Sequence, residues 1–150
     1  MTHRATLLSF CLAAVLAVSA SAQAPAPPKM TVYKSPTCGC CAKWVESMKR
    51  AGFAVTVNDV ENVALIKVTH HVPTDLAACH TALVEGYVVE GHVPADVIMQ
   101  LLKDKPKVVG ISVAGMPMGS PGMETEGVPH DHFNVMAFDQ SGTSHVYAAR

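Results

Sequence analysis

The sequence predicts an α/β fold in which a mixed sheet is flanked by helices. Three observations predict it: a short β-branched and apolar run at Met30–Tyr33, apolar residues at helical spacing soon after it, and strand-like alternation over residues 53–57. A strand, a helix and a strand in this order form a β-α-β unit, for which a right-handed crossover is expected. The chain has 150 residues, enough for about one domain.

The first helix is predicted over Ala42–Ala51, after a strand that ends at Ser35-Pro36 because proline cannot donate to a sheet. Gly52 follows as a C-terminal cap. The inward positions of this helix are Trp44, Val45 and Met48.

A second helix is predicted over residues 60–68, with Asn58 or Asp59 as its cap. Val72-Pro73 breaks the helical pattern, because proline restricts the residue before it. The inward side chains of this helix are predicted to be Val63, Ile66 and the stem of Lys67.

A hairpin is predicted next, with strand-like runs at 81–84 and 87–89 joined by Glu85-Gly86. Pro94 then opens a third helix in its first turn, and Pro106 closes it. The buried stripe of this helix is predicted to be Val97, Ile98, Leu101 and Leu102.

A C-terminal Met-rich loop and a β-hairpin are predicted to extend the fold. An apolar run at 108–113 leads into a loop of Gly, Pro and Met residues at Gly115–Pro129. Strands over 133–138 and 143–147 then flank a turn at 139–142.

Residues 1–22 are predicted to be a cleaved secretory signal peptide, with an apolar run at 7–18 and a small-residue cleavage site at 20–22. A retained anchor is the alternative, but the run is shorter than the roughly 20 residues that cross a bilayer. We therefore expect an Ala- and Pro-rich tether at 23–29 and one exported, periplasmic domain at 30–150, with no membrane segment after cleavage.

Composition favours metal chemistry over nucleic-acid binding. Eleven Lys or Arg residues stand against twelve Asp or Glu residues, and no basic run is long enough to bind a row of phosphates, so no nucleic-acid partner is expected. Five Cys, eight His and eight Met residues carry side chains that bind soft or borderline metal ions.

Three thiols lie within four residues where the first strand meets the first helix, at Cys38-Gly39-Cys40-Cys41. The positive end of a helix dipole lowers the pKa of such cysteines and favours the thiolate. Cys38 and Cys41 have the C-x-x-C redox spacing, and Cys40 adds a donor for which a simple dithiol catalyst has no use. Structural disulfides are the alternative in an exported chain, but three such close cysteines cannot staple distant elements.

Cys79 is the fourth thiol of the predicted mature chain, and alone it is more typical of a buried core residue than of a ligand. It would join the other three if its strand lay beside the first strand. Four grouped thiolates suit Zn(II), an iron–sulfur cluster or Cu(I). Three donors from one tight loop favour bridging between several Cu(I) ions.

Thioethers and imidazoles supply further candidate ligands. Met116 and Met118 lie in a loop without helical or strand period, and thioethers bind Cu(I), although Met also fills gaps in cores. His92 and His132 are the first candidates among the histidines, each of which alone is more typical of a surface or core residue. The other histidines considered are His70, His71, His80 and His130.

Together these motifs resemble the CopG-like periplasmic copper-resistance family, thioredoxin-like metal-binding proteins with a CxCC motif. The resemblance is carried by Tyr33–Cys41, Cys79–Ala82, Glu90–Pro94 and Gly115–Glu124. It implies a multinuclear, sulfur-bridged copper site, a role in copper redox handling, and a cis peptide bond before Pro73. The implied ligands are Cys38, Cys40, Cys41 and Cys79. The chain departs from the family pattern at Val113-Ala114-Gly115, where Val-Pro-Gly is expected.

The sequence therefore predicts an exported protein that sequesters Cu(I), and cycles it with Cu(II), on a cysteine-bridged cluster of several copper ions. One alternative is an enzyme, a thiol-disulfide oxidoreductase with Cys38 as nucleophile and Cys41 as resolving thiol. Another is a copper chaperone that passes its ion to other periplasmic copper-handling proteins. Storage and delivery are not separated by the sequence.

Overall fold

Seven strands and three α-helices form the regular structure of residues 26–150, which this computed structural model describes. The strands are β1 (Lys29–Lys34), β2 (Ala54–Asp59), β3 (His80–Val84), β4 (Tyr87–Gly91), β5 (Gly110–Val113), β6 (Asn134–Phe138) and β7 (Ser144–Ala149). The α-helices are α1 (Gly39–Arg50), α2 (Val63–Thr69) and α3 (Ala95–Asp104), and a 3₁₀ helix covers Thr74–Leu76. The predicted signal peptide lies outside the described residues.

All seven strands belong to one sheet, in the order β2-β1-β3-β4-β5-β6-β7. β1 pairs in parallel with β2 and β4 with β5, and the other neighbours are antiparallel. The predicted mixed α/β fold, with a C-terminal Met-containing loop and hairpin, is confirmed. Within residues 26–150, no helix combines the length and apolarity needed to cross a membrane.

The two faces of the sheet carry separate apolar clusters. The larger cluster joins inward residues of β1, β3, β4 and β5 to the buried sides of α1 and α3. Because side chains alternate along a strand, Val89 lies in this cluster whereas its neighbour Val88 packs with Leu76 and Phe138 on the opposite face. The segment from α2 to the 3₁₀ helix therefore covers the second face.

Two helix caps differ from the prediction. α1 begins at Gly39, three residues earlier than predicted, because the Cys38 sulfur accepts the Cys41 N–H at 3.3 Å as an N-terminal cap. α2 is capped by Asn62, whose side chain accepts the Leu65 N–H at 3.2 Å. The predicted caps of α2, Asn58 and Asp59, lie in β2 instead, because their backbones pair with β1.

The burial of α2 also differs from the prediction. Val63 and Ile66 are only partly buried, and Leu65 and Val68 have exposed fractions of 62% and 74%. The helix is attached mainly through Lys67, whose partly buried side chain points inward as predicted and reaches a buried carboxylate on β4.

The cis peptide bond expected before Pro73 is absent, since residues 26–150 contain none. Pro73 adopts an extended conformation, and its carbonyl accepts the Leu76 N–H at 3.0 Å, which starts the 3₁₀ helix. In α3, Pro94 is the N-terminal cap rather than the first helical residue. Leu102 is only partly buried, unlike the other predicted members of its stripe.

Candidate metal centre

Cys38 and Cys41 lie at the start of α1 and are joined by a disulfide. Cys41 is fully buried, whereas Cys38 is partly exposed. The cap hydrogen bond from the Cys41 N–H and the positive end of the helix dipole both stabilise a thiolate at Cys38 when the disulfide is reduced. The pair therefore combines an accessible sulfur with a protected one.

Cys40 and Cys79 stay outside that bond and complete a group of four sulfurs. The Cys40 sulfur lies 3.6 Å from the Cys38 sulfur. Cys79 directly precedes β3, and the pairing of Lys34 with His80 brings it to the turn between β1 and α1. All four sulfurs lie within 4.8 Å of one another. The structure thus brings the distant thiol to the other three.

Cys79 is a thiol rather than a thiolate at neutral pH. Burial raises its pKa to about 11, and the neighbouring Cys40 adds to the shift. A metal ion must therefore displace a proton to bind the Cys79 sulfur.

His92 is fully buried beside Cys79. Its Nε2 lies 3.2 Å from the Cys79 sulfur, and its Nδ1 lies 2.8 Å from the Pro121 carbonyl oxygen. Because a carbonyl only accepts, Nδ1 carries the proton and Nε2 presents a lone pair towards Cys79. Burial lowers the pKa of His92, while the Pro121 carbonyl and the Glu124 charge oppose that shift.

His80 is also fully buried, and neither ring nitrogen has a hydrogen-bond partner among the described residues. Its ring packs between Trp44, at a centroid distance of 4.4 Å, and His92, at 5.1 Å. Burial lowers the pKa of His80 to about 3, with the charges of His92 and Lys67 adding to the shift. Ligand atoms of Cys79, His80 and His92 all lie within 4.8 Å of one another.

A buried polar network holds the backbone that leads to Cys79. Glu90 Oε1 accepts from Lys67 Nζ at 2.5 Å and from the Ala78 N–H at 2.6 Å, and Oε2 accepts from the Thr81 hydroxyl at 2.7 Å. Burial raises the pKa of Glu90, and Lys67 and the other donors oppose the shift. The network connects α2, β3 and β4 directly beside the sulfur cluster.

The Met-containing loop packs against the start of α1. Met118 and Met123 line a depression of about 310 Å³ together with Cys40. Met116 does not line it and is 55% exposed. Gly122 packs so tightly against the start of α1 that an added Cβ would lie 2.7 Å from the Cys40 carbonyl oxygen.

The structure separates the histidine candidates. His92 lies at the cluster, whereas His132 and His130 are exposed and belong to no group of metal-binding size among residues 26–150. His80 lies at the cluster, although the sequence pattern made His132 the stronger candidate ligand. The available signal was its position in the strand. Every second residue of a strand faces the same side, so His80 points inward together with Ala82 and Val84. His70 and His71 follow α2 and are likewise outside these groups.

Comparison with known proteins places the chain in a family. Two solved structures, "Copper resistance protein copG- Form 2" and "Copper resistance protein copG- Form 1", are each 37% identical to it and cover 83% of this chain and 98% of their own. The TM-scores are 0.78 and 0.77. The chain belongs to the CopG family.

The CopG resemblance stated from the sequence motifs is therefore confirmed. A family described as "Protein of unknown function, DUF411" also matches residues 76–123, a segment that contains Cys79, His80, His92 and the methionines of the loop. No curated protein is significantly similar to the chain.

Proposed function

We propose that this protein is an exported copper-binding protein that sequesters Cu(I) on a multinuclear, cysteine-bridged cluster and contributes to copper resistance. The observation that carries the proposal is the group of four sulfurs within 4.8 Å at the N-terminus of α1. The two similar CopG structures are titled copper resistance proteins, which supports copper as the cargo.

The donor set favours soft ions. Thiolates and thioethers select Cu(I), whereas structural zinc sites usually take their thiolates as separated pairs. Three of the four sulfurs come from one helical turn, so neighbouring thiolates can bridge two or more ions. The imidazoles of His80 and His92 add borderline ligands that suit both Cu(I) and Cu(II), which supports redox cycling.

The decisive experiment is an anaerobic Cu(I) titration of the fully reduced protein. We expect more than one copper ion per chain, and fewer in Cys79→Ser, because this variant removes the sulfur that links the trio to β3. Saturation at a single ion, with no change in Cys79→Ser, would refute the multinuclear cluster. His145→Ser, at an exposed histidine on β7, is the control and should bind as many ions as the wild type.

Export is part of the same proposal. The predicted cleavage after Ala22 gives a mature chain that begins at Gln23. Mass spectrometry of protein from the periplasmic fraction should show this N-terminus. Recovery of the full-length chain from the cytoplasm alone would contradict export.

A thiol-disulfide oxidoreductase is the second candidate, favoured by the Cys38–Cys41 disulfide. In that reaction the Cys38 thiolate attacks a substrate disulfide and Cys41 resolves the mixed disulfide, so the substrate leaves as two thiols and the pair becomes oxidised. Metal-free protein that reduces a disulfide substrate, with activity kept in Cys40→Ser, would favour this enzyme.

A copper chaperone is a third candidate, favoured by the depression that Met118 and Met123 form beside the partly exposed Cys40. Such a surface suits ligand exchange with another periplasmic copper-handling protein. A pull-down that captures a partner only when the protein is copper-loaded would support delivery over storage.

A further inference from the structure

Cys79 belongs to two overlapping sets of ligand atoms. One set is the four cysteine sulfurs, and the other is the Cys79 sulfur with ring nitrogens of His80 and His92. The Cys38–Cys41 disulfide removes two sulfurs from the first set. The second set contains neither Cys38 nor Cys41, so all its ligand atoms remain free in the disulfide-bonded protein.

His92 is held in the orientation of a ligand. The Pro121 carbonyl fixes the proton on Nδ1 and leaves the Nε2 lone pair 3.2 Å from the Cys79 sulfur. A carbonyl that accepts from the second ring nitrogen is the usual way in which proteins orient a metal-binding histidine. This contact comes from the Met-containing loop, so the loop and β4 position the ligand together.

His80 provides an independent observation. A fully buried imidazole without any hydrogen-bond partner among the described residues is unfavourable, because its ring nitrogens lose water and gain no partner in return. Its ring is held between Trp44 and His92 and has no room to reach solvent. Coordination of a metal ion would satisfy one of its nitrogens.

We propose that Cys79, His80 and His92 hold one Cu(I) ion when Cys38 and Cys41 are joined as a disulfide. Thiolate and imidazole both bind copper, and Cu(I) accepts low coordination numbers. The Cys79 proton leaves to solvent as the copper–sulfur bond forms, so the step needs neither oxidant nor reductant. The inference rests on the copper-binding function proposed above but not on the multinuclear cluster. It describes how the protein retains copper after oxidation of the Cys38–Cys41 pair.

Cys40 offers a competing arrangement, because its thiol also stays free and belongs to the same group of four sulfurs. A Cys40–Cys79 pair would bind Cu(I) through two sulfurs and no nitrogen. The variant Cys40→Ser removes this arrangement and leaves the proposed one intact.

The test is an anaerobic titration of the disulfide-bonded protein with Cu(I), in competition with a chromogenic Cu(I) chelator. We expect one Cu(I) per chain in both the wild type and Cys40→Ser. His92→Asn keeps a side-chain N–H for Pro121 but removes Nε2, and should weaken the affinity at least about tenfold. His132→Asn changes an exposed histidine outside both sets, and should bind like the wild type.

X-ray absorption of the one-copper form should show nitrogen ligands and a single sulfur. The proposal is overturned if the disulfide-bonded protein binds no copper, if Cys40→Ser loses the ion, or if His92→Asn binds it unchanged. His80→Phe keeps a ring against Trp44 and tests the third ligand; if this variant does not fold, the nitrogen-to-sulfur ratio of the wild type decides.

Titration of the reduced wild type in parallel separates the two proposals. Several ions in the reduced protein and none in the disulfide-bonded protein refute this inference alone. No copper in either form refutes the proposed function as well.

Discussion

At the level of single residues, Gly122 lies where the Met-containing loop packs against the start of α1. Its φ is +88°, and a Cβ at this position would lie 2.7 Å from the Cys40 carbonyl oxygen and 2.8 Å from the Trp44 amide nitrogen. Glycine alone combines this backbone conformation with so close an approach. The same loop supplies the Pro121 carbonyl that orients His92.

Gly122→Ala should therefore lower both stability and copper binding. We expect a loss of about 1–3 kcal/mol in the free energy of unfolding, measured with urea, and a weaker Cu(I) affinity because the loop moves away from α1. Gly127→Ala is the matched control: its φ is +76°, but nothing lies within 4 Å of the added Cβ. If both substitutions lower stability equally, the positive φ rather than the close approach to α1 causes the loss.

His80 makes the metal-free protein sensitive to acid. The folded protein holds the pKa of His80 at about 3, below the ordinary value of 6.5 that applies when the chain unfolds. The folded-state pKa is depressed, so the contribution to stability is present above pH 6.5 and is lost as the pH falls towards 3. In His80→Phe, the free energy of unfolding should depend less on pH in this window. If the free energy of unfolding of His80→Phe depends on pH as it does in the wild type, His80 is not the source of the acid sensitivity.

At the scale of elements, the network around Glu90 connects α2 to the β3–β4 hairpin. α2 has no fully buried side chain, so the Lys67–Glu90 ion pair is its most buried attachment. The same carboxylate accepts the Ala78 N–H, one residue before Cys79. The network therefore sets where the Cys79 sulfur lies relative to α1.

Glu90→Ala should cost about 3–5 kcal/mol in the free energy of unfolding, because it leaves the largely buried ammonium group of Lys67 without its partner. Glu90→Ala should also lower the number of copper ions bound, because the backbone before Cys79 loses its acceptor. Glu90→Gln retains an oxygen for the Ala78 N–H, so it should cost less stability and keep most of the copper stoichiometry. Urea unfolding and Cu(I) titration measure both effects. Glu46→Gln, in an exposed ion pair with Lys49, is the control and should leave the free energy of unfolding close to that of the wild type, because solvent screens exposed ion pairs. If all three variants bind copper equally, Glu90 does not position the Cys79 sulfur.

The Met-containing loop yields a prediction that separates its methionines. Met118→Leu and Met123→Leu should lower Cu(I) affinity, because these side chains lie beside Cys40, whereas Met116→Leu should have a smaller effect. Competition with a Cu(I) chelator measures the difference. Met99→Leu, on α3, is the control. The largest effect in Met116→Leu would contradict this order and favour Met116, which the sequence predicts as a ligand together with Met118.

At the scale of the whole molecule, sequence reasoning was most accurate for local features. The strands, the hairpin turn at Glu85-Gly86 and the buried stripe of α1 follow from periodicity and turn chemistry within a few residues. The boundary of α2 was wrong because β2 extends to Asp59 through pairing with β1, a non-local interaction.

The candidate site likewise has a local part that the sequence predicts and a long-range part that it does not. The spacing of Cys38, Cys40 and Cys41 marks the site without any knowledge of the fold. The approach of Cys79 depends on β3 lying beside β1, and the burial of His80 depends on its packing against Trp44 of another element. Long-range pairing and packing carry no short-range sequence signal, so these contacts required the structure.

Copper should also stabilise the fold as a whole. The sulfur and nitrogen donors come from the start of α1, from Cys79 and the first residue of β3, and from the segment after β4, so a bound ion links parts that are distant in sequence. A ligand that binds only the folded state at about 1,000 times its dissociation constant adds about 4 kcal/mol to the free energy of unfolding. Thermal unfolding should show a higher melting temperature with Cu(I), and a smaller increase in Cys79→Ser. No change in the wild type would contradict binding at this site.

Trp44 is the only tryptophan in the chain, and its indole donates to the Val93 carbonyl at 2.9 Å while its ring packs on His80. The protein consequently carries an intrinsic fluorescent reporter at the edge of the proposed copper site. Changes in intrinsic fluorescence can follow the arrival and departure of an ion on the millisecond scale, without an attached dye.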